Sequence, residues 1–413
     1  MRLCLLTTSV SPHQVPLARQ LGLLVGSDNF RYVATGDLDG ERRRLGWGIS
    51  GDCERWILHL QKGAEEAEEA SRWAEGADVL LTGSRDVGLL ERRIRNGKLN
   101  LYMSERWFKP PWGMARLLYP RYFGMARKIV YLMQSPYFYY LPIGGYAVQD
   151  MTQLAGVFGA REAVKGKMRM WGYFVSEKDH AERQMRVEGK IETKGKRVFR
   201  ILWFGRLLKL KRVDTLIKAV AWIHDGINLL QKNKGTKEKN GMLDNCRLKI
   251  VGLGPEGGVL RALAVKLGVG NVIEFCPPVP IERVREEIRA SDVCVVTSNG
   301  QEGWGVAVNE ILLEGRCAVV SKESGAGATL IRDGENGLLF KSGDVADLAR
   351  QLQRVLEDAR LRTRLAETGR ASMLAVWTPD VAAERLMTFC ESMLNKKKPP
   401  QWETGPLTLS SYR

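Results

Sequence analysis

The sequence predicts an α/β protein with two doubly wound parallel-sheet domains. The 413 residues suffice for two or three domains of about 150 residues each. The composition, with 44% hydrophobic and 27% charged residues, is typical of a globular chain and argues against a disordered or collagen-like one. Short apolar segments alternate with helical segments in both halves, and this alternation favours parallel strands joined by right-handed crossovers.

The first domain is predicted over residues 1–175. Its short apolar segments indicate buried strands, and the segments between them have helical periodicity. In chain order the predicted elements are LCLLTT, a helix over 15–24, FRYVAT, an acidic helix over 63–75, ADVLLTG, a helix in LLERRIRNG, and NLYMS. The polar, basic stretch 176–196 suits a linker.

The second domain is predicted over residues 197–375. Its elements are VFRILWFG, a helix over 213–230, RLKIVGLG, a helix over 259–267, NVIEF, a helix over 281–290, DVCVVTS, a helix over 306–313, and CAVVS. A solvated loop is expected over 231–245. A last helix over 377–395 starts at Thr378 and Pro379, and 396–413 is expected to be a loosely ordered polar tail.

The charge balance favours anionic partners. Sixty-three Lys and Arg against 47 Asp and Glu leave +16, which suits phosphates, nucleic acid or acidic lipid without choosing among them. Seven cysteines without C-x-x-C spacing indicate reduced thiols in a cytoplasmic chain. Residues 1–10 do not have the pattern of a secretion signal, and Pro and Gly interrupt the uncharged stretch 129–149, so no transmembrane helix is expected there.

A first candidate site lies at the corner between the strand VFRILWFG and the next helix. Gly205 ends the strand, and Arg206 and Lys211 follow it, so backbone amides and two cations converge where phosphate is attracted. The alternative is that these cations belong to a solvated basic run with Lys209 and Arg212.

A second candidate site follows the strand DVCVVTS. Glu302 precedes a turn in which Gly303 and Gly305 flank Trp304 and allow a ligand close to the backbone. Glu310, on the helix that follows, has a carboxylate suited to the paired hydroxyls of a sugar. The alternative is two solvated helix glutamates.

The order and spacing of these motifs resemble the C-terminal half of family 4 glycosyltransferases, enzymes of the GT-B fold. The resemblance runs from about residue 199 to 373 and includes DVCVVTS, the EGWG turn and LIRDGENGLLF. SPHQVPLARQL, ERRRLGW, LYMSERWFK and MRMWGYF in the first half are similar to a bacterial branch. The resemblance implies two Rossmann-like domains facing a cleft, with the acceptor side in 1–175, the nucleotide-sugar side in 197–375, and the helix over 377–395 packed back on the first domain.

The resemblance also implies a reaction and its residues. Arg206 and Lys211 would neutralise the diphosphate of a UDP- or GDP-sugar, Glu310 would bind ribose, and Glu302 would bind the transferred sugar. Amides of the turn 303–305 would add contacts. The acceptor would be a glycan, a lipid-linked molecule or a small molecule, anomeric configuration would be retained, and neither a metal nor another cofactor is expected.

Some positions depart from the family pattern. Ser11 to Gln14 replace the usual paired glycines of the first loop, which leaves His13 as a possible substrate contact or a local helix cap. Arg212 stands where a glycine is usual, and residues 324–329 lack the usual glycine pair and glutamate. Glu105 could orient the acceptor or form a surface salt bridge.

Two further motifs suggest other functions. The G-x-G-x-x-G at 252–257, with Glu274 downstream, is the pattern of a nicotinamide-dependent oxidoreductase. Pro255 in the loop and the position of Glu274 inside NVIEF argue against it. Asp37 and Asp39 form an Asp-x-Asp pair that could indicate a metal-dependent transferase, but DLDGE is also an ordinary turn composition. A non-enzymatic surface-binding protein on a degenerate fold remains a third possibility.

The segment 106–149 contains no Asp or Glu and interleaves basic with aromatic residues. This composition fits an anionic membrane surface, and nucleic acid is a less favoured partner with the same chemistry. A long loop and helix packed inside the first domain would explain the same pattern. The chain is therefore expected in the cytoplasm, with peripheral binding to the inner face of the membrane as an open alternative.

Overall fold

The computed structural model describes residues 1–37, 40, 54–176, 198–234 and 246–410. The chain forms two compact units. Unit 1 contains Met1–Ser176 and Val376–Arg413, and unit 2 contains Glu177–Ala375. Most of the predicted linker, residues 235–245 of the predicted loop, and Asp39 lie outside the described residues. The described start of that loop, residues 231–234, is helical instead.

Unit 1 contains a six-stranded parallel sheet in the order β3-β2-β1-β4-β5-β6. Its strands are β1 Leu3–Thr7, β2 Phe30–Ala34, β3 Ile57–His59, β4 Val79–Thr82, β5 Leu99–Ser104 and β6 Phe138–Pro142. Its helices are α1 Val15–Val25, α2 Ala64–Gly76, α3 Val87–Arg95, α4 Pro120–Leu132, α5 Gly145–Val157 and, after unit 2, α13 Pro379–Leu394.

Unit 2 contains a second six-stranded parallel sheet, in the order β12-β11-β10-β7-β8-β9. Its strands are β7 Phe199–Phe204, β8 Cys246–Val251, β9 Ile273–Cys276, β10 Val293–Val296, β11 Cys317–Ser321 and β12 Leu338–Phe340. Its helices are α6 Val213–Lys234, α7 Gly257–Lys266, α8 Ile281–Ala290, α9 Ala307–Leu313, α10 Gly325–Leu330, α11 Val345–Glu357 and α12 Ala359–Val376, the last of which ends at the boundary with unit 1.

The predicted α/β fold with two parallel sheets is confirmed. The central strands consist mostly of buried apolar residues because helices cover both faces of a parallel sheet. Every residue of β1, β10 and β11 is buried, for example. Among the described residues, no helix is long and apolar enough to cross a membrane.

The uncharged stretch 129–149 is divided among three elements. It supplies the end of helix α4, the whole edge strand β6 and the start of α5. All five residues of β6 are buried, and Phe138 and Tyr140 belong to the core of unit 1. The apolar composition therefore reflects burial in this unit.

The expectation of a loosely ordered tail over 396–413 is wrong for the described part of that segment. Leu407 is fully buried, and its amide donates to the carbonyl of Met170 at 2.7 Å. The amide of Met170 donates in turn to the carbonyl of Thr408 at 2.9 Å. A polar composition concealed this backbone pairing, because such pairing needs no apolar side chains.

Two glycines of the G-x-G-x-x-G motif allow two loops of unit 2 to pack closely against each other. A Cβ on Gly252 would lie 1.8 Å from the carbonyl oxygen of Gly205, and one on Gly254 would lie 2.4 Å from that of Leu207. The amide of Leu207 donates to the carbonyl of Leu253 at 2.8 Å. These glycines therefore hold the loop after β7 against the loop after β8. Glu274 lies inside the edge strand β9.

Replacing Gly252 with Ala is expected to destabilise unit 2 by about 3 kcal/mol, because the new methyl group overlaps a backbone oxygen and φ is +147° at this position. The matched control is Gly258→Ala in helix α7, where a Cβ meets nothing within 4 Å. Urea unfolding followed by circular dichroism measures both. Equal stability of the two variants would contradict the close approach.

Candidate functional site

The candidate site of unit 2 lies at the carboxyl ends of β7 and β10. These strands are neighbours in the sheet, although β7 is the first strand of the unit and β10 the fourth. The strand order reverses between them, so the loops that leave them diverge and open a crevice. Gly205 follows β7, and Glu302 lies in the loop after β10. The two predicted constellations therefore meet at this point of the sheet.

The structure brings Lys211 and Glu302 into direct contact. The Nζ atom of Lys211 forms a short ion pair with Oε2 of Glu302, and the side chains are only 23% and 18% exposed. The hydroxyl of Ser298 donates to the same carboxylate oxygen at 3.2 Å. A cation and a carboxylate are thus held side by side in a partly desolvated position.

Hydrogen bonds from the neighbouring strand fix the backbone around Lys211. The hydroxyl of Thr297 donates to the carbonyl of Lys211, and Nε1 of Trp203 donates to the same hydroxyl oxygen at 3.2 Å. The amide of Asn299 donates to the carbonyl of Leu210 at 2.8 Å. Trp203 and Thr297 are buried, so the position of the 3-10 turn Lys209–Lys211 depends on the core of the unit.

The turn 303–305 is built by close packing against a second loop. A Cβ on Gly325 would lie 2.0 Å from the carbonyl oxygen of Gly303, and the amide of Ala326 donates to the carbonyl of Trp304 at 2.8 Å. The side chain of Trp304 is buried, and its Nε1 donates to Oδ1 of Asn309 at 2.8 Å. Trp304 is therefore a packing residue whose side chain anchors the turn, and Gly305 has a φ of +92°.

Glu310 is more deeply buried than a solvated helix glutamate. It lies in helix α9 and is 5% exposed. Burial raises the pKa of its carboxyl to about 7, while the positive charge of Arg285 opposes that rise and the negative charge of Glu314 adds to it. The alternative of two solvated glutamates is therefore wrong for Glu310 and for the half-buried, paired Glu302.

Helix α8 brings two arginines near the glutamates of α9. Arg285 and Arg289 are one turn apart on α8, and Glu310 and Glu314 are one turn apart at α9 and its C-terminal end. Arg289 contacts Glu314 at 3.6 Å, with both side chains largely buried. Sequence analysis missed the arginines, although their spacing of four residues matches that of the glutamates and was the available signal.

Arg206 and Arg212 have different surroundings. Arg206 follows Gly205 and is half-buried. Arg212 adopts the left-handed conformation with a φ of +50°, which explains why glycine is usual at this position in the family it resembles. Its guanidinium lies 3.1 Å from the carboxylate of Asp214, so its charge is paired locally.

His13 and Glu105 both follow strands of unit 1 at the carboxyl edge of its sheet. Helix α1 starts at Val15 with Gln14 at its N-cap position, so His13 is not the N-cap residue. The carboxylate of Glu105 forms an ion pair with Lys109 at 2.7 Å and accepts a long hydrogen bond from the hydroxyl of Tyr173 at 3.5 Å. The salt-bridge alternative for Glu105 is therefore present in the structure.

Acidic, histidine and cysteine side chains do not gather into a metal site in the part of the chain that the structure describes. Asp39 of the Asp-x-Asp pair lies outside the described residues.

Comparison of sequences relates unit 2 to glycosyltransferases. The family described as "Glycosyl transferases group 1" matches residues 185–372. A D-inositol 3-phosphate glycosyltransferase of Thermomonospora curvata is 34% identical over 166 residues, which cover 40% of this chain and 36% of that protein. The lipopolysaccharide core biosynthesis glycosyltransferase LpsE of Rhizobium meliloti is 29% identical over 192 residues, which cover 46% and 49%. The chain thus spans between about a third and a half of the length of these relatives.

Solved structures extend the similarity in fold to about 95% of the chain. Sucrose-phosphate synthase from Thermosynechococcus elongatus has a TM-score of 0.64 at 17% identity and covers 96% of this chain and 100% of its own. Anabaena HepE in complex with UDP has a TM-score of 0.62 at 17% identity and covers 95% of this chain and 100% of its own. At such identities the likeness concerns the fold, and the region 185–372 matches the glycosyltransferase family by sequence.

Proposed function

We propose that the protein transfers a sugar from a UDP- or GDP-sugar to an acceptor, with retention of anomeric configuration. The observation that carries the proposal is the contact of Lys211 with Glu302 at the switch point of unit 2, within the residues that match the glycosyltransferase family. The acceptor is a glycan, a lipid-linked molecule or a small molecule. The proposed location is the cytoplasm, with an anionic membrane surface as a further partner.

Charge development on the donor explains the need for the cation. The bond between the anomeric carbon and the diphosphate oxygen breaks, and negative charge grows on the departing nucleotide diphosphate. Lys211 and Arg206 would stabilise the departing diphosphate in the transition state more strongly than they stabilise the intact donor. This difference lowers the barrier. The acceptor oxygen bonds to the anomeric carbon on the same face, and its proton passes to the departing phosphate oxygen. The proposed step uses neither a metal nor another cofactor.

The pairing of Lys211 with Glu302 gives each a partner before the donor binds. When the donor arrives, the ammonium group would turn to the diphosphate and the Glu302 carboxylate to hydroxyls of the transferred sugar. Neither charge is then left unpaired in a partly desolvated position, which would cost free energy. Gly305 lies close to the same side chain, since a Cβ on it would be 3.5 Å from Cγ of Glu302, and the amides of the turn 303–305 are proposed to add contacts to the donor.

Glu310 is proposed to bind the ribose. Hydrogen bonds from two neighbouring hydroxyls favour the ionised carboxylate, while burial in the free protein disfavours it. Nucleotide binding should therefore lower the pKa of Glu310 and release a proton near neutral pH. His13 and Glu105 are proposed acceptor-side contacts of unit 1.

Lys211→Ala is expected to lower kcat by about 10²–10³-fold, because it removes a donor aimed at the developing charge. The control is Lys209→Ala, which removes an exposed lysine from the same short turn and should leave kcat near the wild-type value. The assay measures release of UDP or GDP from a panel of nucleotide sugars. Full activity of Lys211→Ala would remove this residue from the mechanism, and tight nucleotide binding without any turnover would favour the non-enzymatic alternative.

Glu310→Gln is expected to change the pH dependence of stability. With a folded-state pKa of about 7 against an ordinary 4.5, Glu310 stabilises the fold most below pH 4.5, and this contribution is lost as pH rises through 7. The free energy of unfolding of the variant, relative to that of wild type, should therefore rise by about 3 kcal/mol between pH 4.5 and pH 8.

Unfolding of unit 2 at both pH values, without nucleotide, measures this rise. If the stability difference between variant and wild type does not vary with pH, the raised pKa of the buried carboxyl is contradicted. In calorimetry at pH 7, UDP binding should release protons from wild type, whereas the variant should bind more weakly without that release. Unchanged UDP affinity in the variant would contradict the ribose role alone.

A further inference from the structure

We infer that unit 1 binds an anionic membrane through one outward face, formed by the 3-10 turn Gly113–Leu118, its flanking residues and helix α4. We call it the basic apolar face. The inference makes the membrane partner of the proposed function specific to this face. It does not depend on sugar transfer, because lipid binding can be measured without a donor.

The turn exposes large apolar side chains. Trp112 is 59% exposed and Leu118 is 84% exposed, and three neighbours are also exposed: Met114, Tyr119 and Phe123. A cluster of this kind is unusual on a surface that meets only water, and it marks a binding surface. Moving leucine, methionine and tryptophan side chains from water into the boundary between lipid head groups and acyl chains is energetically favourable.

Hydrogen bonds to the interior of unit 1 hold the segment that precedes the turn in place, so the exposed apolar side chains extend from an ordered backbone. Trp107 is buried, its Nε1 donates to the hydroxyl of Tyr140 at 3.0 Å, and its carbonyl accepts a hydrogen bond from the hydroxyl of Tyr122. The amide of Phe108 donates to the buried carboxylate of Asp150 at 2.8 Å. The exposed Leu118 therefore follows firmly attached residues, Trp107 and Phe108, about ten positions earlier in the chain.

Helix α4 supplies the charge. At 100° per residue, Arg121, Arg127 and Tyr131 lie within about 60° of Gly124 on the helical wheel, and all three side chains are exposed. Lys128 shares this side but contacts Glu91 at 3.5 Å. The whole segment 106–149 lacks acidic residues, so Arg121 and Arg127 give the face a positive charge complementary to anionic lipid. Arg116 points inward instead, with Nη1 3.4 Å from the carbonyl of Trp107.

The aliphatic part of the face favours lipid over nucleic acid. Single-stranded nucleic acid is bound by cations together with aromatic rings on which bases stack. The most exposed large apolar side chain of this face is Leu118, which offers no ring for stacking. A lipid surface uses all three features, because aliphatic groups enter it, Trp and Tyr rings lie at its boundary, and arginines contact its phosphates.

Vesicle sedimentation of the full chain tests the inference, with phosphatidylcholine alone or mixed with phosphatidylglycerol. Wild type should bind the mixed vesicles more tightly and lose affinity at higher salt. Arg121→Glu with Arg127→Glu should lower that affinity by about 30-fold or more, from roughly fivefold per basic residue. The matched control variant, Lys266→Glu with Arg360→Glu, reverses the charge of two exposed side chains of unit 2. It should bind the mixed vesicles nearly as tightly as wild type.

A second pair of variants tests the apolar contribution. Leu118→Ser should weaken binding to the mixed vesicles, whereas Val265→Ser, at an exposed valine of unit 2, should not. Equal binding to neutral and mixed vesicles, equal losses in the test and control variants, or tighter binding to single-stranded RNA than to vesicles would each overturn the inference. Release of UDP or GDP from donors without vesicles should stay at the wild-type level in all these variants, so failure of the lipid surface and failure of sugar transfer are separate results.

Discussion

The ion pair between Lys211 and Glu302 joins the two loops that form the candidate site of unit 2. Even an exposed ion pair adds only about 0–1 kcal/mol to stability, and this half-buried pair also carries a desolvation cost. Its importance here is its position, since both groups are held beforehand where the strand order reverses, the point at which ligands bind in open α/β sheets. A cation that is already placed needs no reorganisation when negative charge develops on a leaving group.

Backbone contacts between loops make this placement possible. The carbonyl of Gly205 fits against Gly252, and the carbonyl of Gly303 fits against Gly325, at distances that no Cβ allows. The bonds from Trp203 and Thr297 then tie the turn of Lys211 to the sheet. The site therefore rests on strand ends and close-packed loops, which position a charged side chain more accurately than a mobile segment does.

The two glutamates of the site differ because their surroundings differ. Glu302 is half-buried beside a cation, whereas Glu310 is buried and its pKa is raised to about 7. A carboxyl poised near neutral pH responds to hydroxyl donors by ionising, so ligand binding and proton release are coupled at Glu310. Arg285 limits the rise of that pKa, and the neighbouring pair of Arg289 and Glu314 repeats the arrangement one turn further along.

Much of the fold could be predicted from the sequence, because strands in a parallel sheet are continuously apolar and helices between them are periodic. Strand β6 was harder to predict, because it lies in the long uncharged stretch 129–149. Which residues of that stretch form the strand depends on their pairing with β5, a tertiary contact. Arg285 escaped prediction because its charge acts on Glu310 from a different helix. The packing role of Gly252 escaped for a similar reason, as the motif alone does not reveal which backbone approaches it. The pairing of the segment around Leu407 with Met170 likewise joins distant parts of the chain.

A crystal structure of the protein with UDP is the most direct measurement. The predicted result has the ribose hydroxyls within hydrogen-bond distance of the Glu310 carboxylate and the diphosphate in contact with Nζ of Lys211, which has left Glu302. A nucleotide bound elsewhere, or bound at this place with Lys211 still paired to Glu302 and no phosphate contact, would contradict the proposed role of the cation.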